Sequence, residues 1–331
     1  MPPTLSVIMP VHNSETMVGD AVDSILNSDF KDFEFLIVDD HCTDRTMDRV
    51  TERKDARIRI LHSPKKGVVH AMNTGIRESK CRFIARMDAD DISPKTRFSS
   101  QLSFMENTAM DGVGLCVRIV NEQGDSVPSM QRYQNWINGL QTSEDISAYR
   151  FVELPLVNPT MTVKREVFER EFLDGDWPED YDFWLRAMAA GYRFAKLPDP
   201  LYYWRDHPHR LTRSDARYSN EAFDRCRLKH LINGPLKNQR QIDLWGVGQT
   251  GKPWLRRLQQ KGYEIRRAID VNPRKIGTEI HGVQVISPNH LPPTDGTPLV
   301  IAVGAAKARE QISEFLLPRN YKAGINAWFV A

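Results

Sequence analysis

The chain has 331 residues, 45 basic and 43 acidic side chains and a net charge of +2, long enough for two domains and without the excess that would mark a nucleic-acid binder. Four cysteines (Cys42, Cys81, Cys116, Cys226) lie far apart, which suits a reducing compartment better than a disulfide scaffold. No apolar run reaches spanning length, and the start, MPPTLSVIMP, has no basic region before a signal-length core. The expectation is a cytoplasmic protein, with contact at the inner face of a membrane left open.

Residues 5–9 predict a first strand, and the turn after it offers Asn13 or Ser14 as a cap for a helix with Met17, Val18, Ala21, Val22, Ile25 and Leu26 on one face. A second apolar strand, 35–38, ends at Asp39 and Asp40, and Thr43 is placed to cap the next helix. Strand 58–61 follows, then a basic turn, Lys65-Lys66-Gly67, and a short helix through Ala71 and Met72. The stretch 83–91, FIARMDADD, runs from an apolar strand straight into Asp88, Asp90 and Asp91. Carboxylates cannot stay unpaired in a dry core, so this strand must open into a polar cleft. Asp88 and Asp90 around Ala89 form an Asp-X-Asp arrangement suited to a hard cation. Strands and helices in alternation predict a largely parallel sheet covered on both faces, which binds ligands beyond its carboxyl edge. His12, Asp39, Asp40, Asp88 and Asp90 all fall at that edge. Taken singly, Asp39 could equally cap a helix, His12 reads first as a turn residue, and Lys65 and Lys66 could be a solvated loop.

Beyond the 83–91 stretch, 94–105 reads as a helix, 113–120 as a strand and 121–129 as a turn-rich loop, while 133–150 shows no clean periodicity. A second acidic centre, Asp174-Gly-Asp-Trp-Pro-Glu179-Asp180, opens a helix over 181–190, and the helix field there favours an ionised Asp180. Residues 201–213, LYYWRDHPHRLTR, predict a basic, aromatic flap over an anion such as a diphosphate; nine basic residues face four acidic ones over 201–240. His207 or His209 could complete a metal shell. A helix over 217–232 stops at Asn233-Gly234-Pro235.

From Gln241 the pattern changes. A strand over 242–245 is followed by Gly246-Val-Gly248-Gln-Thr-Gly251, a helix over 252–261, a strand over 263–269 and Asp270. That is a dinucleotide fingerprint in strand and helix context. Gly246, Gly248, Gly251 and Asp270 are the candidates for a second nucleotide site, with a structural, oligomerising or partner-binding module as the alternative reading, and 299–303 with the helix after it adds another βα unit.

The segments LSVIMPVHN, EFLIVDDHCTDRT, KKGVVHAMNTGI, FIARMDADD and WPEDYDFWLRA, over about residues 1–210, resemble the inverting glycosyltransferases of family 2 with the GT-A fold. The resemblance implies that Asp40 holds the nucleotide base and that Pro10 and Val11 line its pocket, together with Asp39, Lys66 and Ala89. It implies Asp88 on the ribose or metal side, Asp90 as a direct ligand of Mg²⁺ or Mn²⁺, and Asp180 as the catalytic base. The chain departs from the family at His12, where tyrosine is usual, and at His41-Cys42, where a serine commonly stands. The stretch AIDVNPRKIGTEIHGVQVI resembles the small Rossmann-like domain ahead of some sugar acyltransferases.

The expectation is therefore an α/β protein: a GT-A domain over 1–235, a mostly parallel sheet between helices, then a small Rossmann-like α/β domain over 241–331. It would move a sugar from a nucleoside-diphosphate sugar, UDP-linked by preference, to a saccharide or lipid-linked saccharide, with no nucleic-acid partner and homo-oligomerisation left open. The alternatives are a non-catalytic nucleotide-sugar sensor or scaffold and an NAD-dependent oxidoreductase.

Overall fold

Apolar runs set the strands here. In the computed structural model, which describes residues 2–208, 210–305 and 307–331, β1 (Leu5–Val11) and β2 (Phe33–Asp39) are buried on both faces, as strands between two helical layers must be. The chain then runs through α1 (Val18–Leu26), α2 (Thr46–Thr51), β3 (Ile58–His62), α3 (Val68–Glu78), β4 (Phe83–Arg86), α4 (Arg97–Glu106) and β5 (Gly112–Val120). Next come α5 (Gln131–Gly139), α6 (Ser143–Tyr149), β6 (Thr162–Lys164), α7 (Arg165–Phe168), α8 (Glu179–Ala189), β7 (Phe194–Arg205), α9 (Leu211–Ser214) and α10 (Asn220–Asn233). The seven strands form one sheet in the order β3-β2-β1-β4-β6-β5-β7, and β6 alone among them runs against its neighbours.

The chain builds outward from β1 to β3, then returns to lay β4 on the other side of β1. Ligands bind where strand order reverses in this way, because the loops diverge there and leave a crevice. Ile8 pairs with Arg86 and Val11 with Asp39, so the acidic residues after β2 and β4 leave the sheet at one edge. Below that edge Arg97 is completely buried, and burial lowers its pKa to about 10. Its Nη2 donates to the Arg86 carbonyl at 2.7 Å and its Nε to Gln101 Oε1 at 3.2 Å, bracing the end of β4 from α4.

Several local expectations change. Neither Asn13 nor Ser14 caps α1; Asn13 Oδ1 instead accepts the Thr43 N–H at 2.8 Å, tying the first turn to the second. Asp44, not Thr43, serves the start of α2, accepting the Thr46 N–H at 3.0 Å. The aperiodic 133–150 stretch folds as two short helices, α5, which buries Ile137 and packs Tyr133 and Trp136 against the core, and α6, which buries Ile146; the break between them interrupts any single period. Residues 201–205 are no flap: they close the sheet as the end of β7, with Tyr202 fully buried.

The second unit contains β8 (Gln241–Trp245), α11 (Gly251–Gln260), β9 (Glu264–Ile269), β10 (Glu279–Ile280), β11 (Val283–Ile286), β12 (Leu299–Ile301), α12 (Ala308–Leu316) and β13 (Ala327–Phe329). Its sheet order is β10-β11-β9-β8-β12-β13, parallel apart from the β10–β11 hairpin, and it too reverses direction at β8. Residues 1–146 with 155–223 make one compact unit, and 147–154 with 224–331 make the other. The short insert is bound within the second unit: Phe151 meets Trp328 edge-on at 6.0 Å, and Tyr149 lies 5.6 Å from Phe329.

Candidate active site

One wall of the cleft is built by the ends of β1 and β2. Asp40 is buried, and both its carboxylate oxygens accept the Gly67 N–H, at 2.8 and 3.0 Å. Gly67 adopts φ +129°, a left-handed conformation that glycine tolerates, so this acid and this glycine together fix the basic turn. The His12 ring lies 2.7 Å, through Nδ1, from the Asp40 carbonyl. Asp39 accepts from the Cys42 N–H at 2.9 Å and lies 3.3 Å from His62; although burial pushes its pKa up, these contacts hold it below the ordinary carboxyl range. Asn13 and His41 have φ of +46° and +60°, so backbone strain concentrates at the same two strand ends. Pro10 and Val11 stand beside them, with Val11 buried. Lys66 is exposed on the turn.

The centre lies just past β4. Ligand atoms of Asp88, Asp90 and Asp91 all fall within 4.8 Å of one another, and Ala89 between them is buried. His207 Nε2 is 2.8 Å from Asp90 Oδ2. Burial pushes the Asp90 pKa up, but this hydrogen bond and the nearby Arg210 charge outweigh it and leave Asp90 below its usual value. Asp91 is completely buried; Oδ1 accepts the Arg205 N–H at 2.9 Å, and burial with the Asp90 charge raises its pKa well above normal. Among the described residues, Asp91 Oδ2 and His207 Nδ1 are buried without a hydrogen-bond partner. Clustered carboxylates beside an imidazole are a donor set that fits a hard or borderline divalent cation. His209, the other candidate, lies outside the described residues.

The other wall is the start of α8. Glu179 is buried and its Oε2 accepts the Tyr218 hydroxyl at 2.7 Å. Asp180 is the next residue, half-buried, with its pKa raised to about 7 by burial and by the Glu179 charge, against the opposing pull of Arg86. The helix field was expected to keep this acid ionised; burial beside a second carboxylate overrides it. Asp182 is fully buried and accepts from Arg186 Nε at 2.7 Å within the same helix, and Arg186 Nη2 in turn donates to the Glu171 carbonyl at 2.8 Å, which holds α8 to the loop before it.

Arg86 joins the centre to this wall, and reading the sequence by motif passes over it. Its Nε donates to Asp88 Oδ1 at 3.0 Å, and the charges of Asp88, Glu179 and Asp180 hold the buried guanidinium firmly protonated. The signal was present: side chains two apart on an extended segment share a face, so Arg86 and Asp88 point the same way. Tyr218 was missed as well, because nothing in its local sequence marks a partner 39 residues away.

The sequence profile of glycosyl transferase family 2 matches residues 6–172, and that of the CoA binding domain matches 237–323. The O-antigen biosynthesis glycosyltransferase WbnJ of Escherichia coli is 30% identical over 223 residues, 65% of this chain and 84% of that protein. An uncharacterized glycosyltransferase of Haemophilus influenzae is 26% identical over 69% of this chain and 73% of its own length. Among solved structures, S. aureus TarS 1-349 in complex with UDP-GlcNAc superposes with a TM-score of 0.53 at 22% identity, over 70% of this chain and 67% of that one; the match spans 40% of the longer TarS chain. The mannosyltransferase PcManGT from Pyrobaculum calidifontis, in complex with GDP-Man and Mn²⁺, gives 0.52 at 20% identity over 80% of this chain and 70% of its own. With half its length matched by one family profile and its acids gathered at the crevice of that fold, the chain belongs to glycosyl transferase family 2: it is a glycosyltransferase of GT-A fold that moves sugar from a nucleotide sugar to an acceptor, with a Rossmann-like nucleotide-binding unit following.

Proposed function

We propose that the unit of residues 1–146 with 155–223 transfers a sugar with inversion from a nucleoside-diphosphate sugar, UDP-linked by preference, to a hydroxyl of a saccharide or lipid-linked saccharide, and that 224–331 with the 147–154 insert form a separate domain. The observation that carries this is the continuous charged cluster running from Asp90 and Asp88 through Arg86 to Asp180. This cluster supports a diphosphate-and-cation site next to Asp180, whose carboxyl pKa of about 7 suits proton transfer at neutral pH.

In this reading Asp40, with Pro10, Val11 and Asp39, receives the nucleoside, and Lys66 reaches the donor from the turn. Asp90 and Asp88 hold Mg²⁺ or Mn²⁺, with His207 completing the shell. When bound, the cation neutralises charge on the departing diphosphate. Asp180 takes the acceptor hydroxyl's proton as that oxygen bonds to the anomeric carbon. The bond from this carbon to the phosphate oxygen breaks, and its electron pair leaves with the diphosphate. A single base and attack from the face opposite the leaving group invert the anomeric centre. No protonated acid is required, because a diphosphate leaves readily, unlike the alkoxide in glycoside hydrolysis. The UDP-GlcNAc complex of TarS and the GDP-Man and Mn²⁺ complex of PcManGT support a nucleotide-sugar donor and a divalent ion, and the part of WbnJ in O-antigen biosynthesis supports a saccharide acceptor.

The test is a screen of UDP-, GDP- and dTDP-sugars with Mn²⁺ or with EDTA, followed by assignment of the product's anomeric configuration by NMR. Expected are metal-dependent donor binding and an inverted linkage. A retained configuration would remove Asp180 from the role of sole base.

A further inference from the structure

Beyond β7 the chain turns back to the start of α8. Asp215 opens a single helical turn, Ala216–Tyr218, by accepting the Arg217 N–H at 2.9 Å, and its carboxylate also takes the Arg217 side chain at 2.7 Å. Arg217 Nη1 lies 3.7 Å from Asp174 in the loop that leads into α8. The turn is thereby tied both to itself and to that loop.

This anchoring aims one side chain. The Tyr218 hydroxyl donates to Oε2 of the buried Glu179 at 2.7 Å. Burial and the Glu179 charge push the Tyr218 pKa well above the usual phenol value, so the group stays an O–H donor throughout the working range. A donor on a carboxylate favours its charged form over its neutral one.

Glu179 and Asp180 are neighbours that compete for protons. Asp180 feels Glu179 on its own helix and Arg86 and Asp88 from the end of β4, while its Oδ1 accepts the Tyr181 N–H at 2.7 Å. Glu179 feels Tyr218 and the firmly protonated Arg217 from the turn, with Arg86 on the other side. When two carboxyls share one proton, it resides on the member whose charge is less well supported. The phenol supports Glu179, so the proton goes to Asp180. An acid matched to neutral pH in this way is a stronger proton acceptor, once ionised, than one left at its ordinary value.

We propose that Tyr218 is a positioning residue for the transfer: by donating to Glu179 it directs the proton shared by the pair onto Asp180, and so sets the pH at which the base becomes available. This rests on the reading of Asp180 as the base.

Site-resolved NMR titration of the Glu179 and Asp180 carboxyl carbons in the full chain tests it, beside the pH profile of kcat/KM, with Mg²⁺ present in both. Tyr218→Phe keeps the ring and removes the donor. The Asp180 inflection should fall by about one pH unit, the scale set by a hydrogen bond to a charged group. At pH 5, kcat/KM relative to its own plateau should then rise about tenfold over the parent. In a Glu179→Gln background the same change should move nothing further, because the carboxylate it acts on is gone. A fluorotyrosine at position 218, a stronger donor of nearly the same shape, should move the inflection upward, and it decides the matter if the phenylalanine variant folds poorly. An Asp180 inflection that stays put in both, whatever happens to the melting temperature, would reduce Tyr218 to packing and overturn the proposal. A shift of equal size in the Glu179→Gln background would overturn it too. If the NMR inflection moves and the kinetic one does not, the hold of Tyr218 on Asp180 stands and the assignment of Asp180 as the base falls.

Discussion

Arg86 donates from Nε to Asp88 Oδ1 at 3.0 Å while its guanidinium lies buried among the charges of Glu179 and Asp180. One cation thus serves three carboxylates from two distant parts of the chain. Removing it leaves those acids without compensation in a poorly hydrated place. Arg86→Met should lose about 3–5 kcal/mol of stability at pH 8, the usual cost of orphaning a buried charge. Without Arg86 the already raised Asp180 pKa in the folded protein rises further, so the folded state takes up a proton more readily than the unfolded one. The deficit must therefore shrink as pH falls. Urea unfolding at pH 8 and pH 5.5 checks this; an equal deficit at both would mean that Arg86 acts through packing alone.

The cation site predicts a graded response. Asp90→Asn replaces a charged ligand by a neutral one and also alters the acceptor for His207. Calorimetric titration with Mn²⁺ should show binding at least about tenfold weaker, with transfer nearly abolished. His207→Gln removes the imidazole that completes the shell and should weaken Mn²⁺ binding by about tenfold, with less loss of transfer than Asp90→Asn because both carboxylates remain. Unchanged Mn²⁺ affinity in Asp90→Asn would take Asp90 out of the ligand set.

A cut after Pro235 looks safe by sequence, since a new strand begins only at Gln241. The structure argues otherwise. Phe151 packs on Trp328, and the Arg150 guanidinium carbon lies 4.7 Å from the same ring. Truncation would uncover Tyr149, Arg150 and Phe151, and the shortened chain should aggregate or melt markedly lower. Phe151→Ala in the full chain should cost about 3–5 kcal/mol, the usual loss for a buried ring. A truncated protein that melts like the full chain would show that the insert is held by other means.

This last point shows what the sequence could and could not say. Periodicity located β1, β2, β4 and α8 because each buries a long apolar set, and the acids at their ends followed from the impossibility of burying bare carboxylates. The insert 147–154 was invisible because its packing partners lie nearly 180 residues downstream, beyond any local pattern. The charge of the run 201–213 predicts a flap, although the alternation at its start, with Tyr202 buried and Tyr203 exposed, is that of a strand. Asp39, Asp40, Asp88 and Asp90 were legible as acids at one sheet edge; the bonds that divide their tasks, Asp40 to Gly67 and Asp90 to His207, were not.

The proton transfer assigned to Asp180 gives the most decisive prediction. With its pKa near 7, this acid is mostly protonated below neutrality and cannot accept a proton; above it the carboxylate is available. The logarithm of kcat/KM should rise with pH and level off above about 7, because kcat/KM reports groups of the free enzyme. Asp180→Asn keeps the shape and removes the acceptor, so transfer should fall about 10²–10⁴-fold and this pH dependence should vanish, with donor affinity retained. Two neighbours give different results. Glu179→Gln removes a charge that raises the Asp180 pKa, so the inflection should move to lower pH with activity retained. Asp182→Asn breaks the buried pair with Arg186, so it should lower stability and leave the inflection in place. Single-turnover rates and donor affinities for the three variants across pH 5–9 separate these outcomes. An Asp180→Asn enzyme that transfers within a few-fold of the parent rate would sink the assignment, and an inflection that ignores Glu179→Gln would place the titrating group elsewhere.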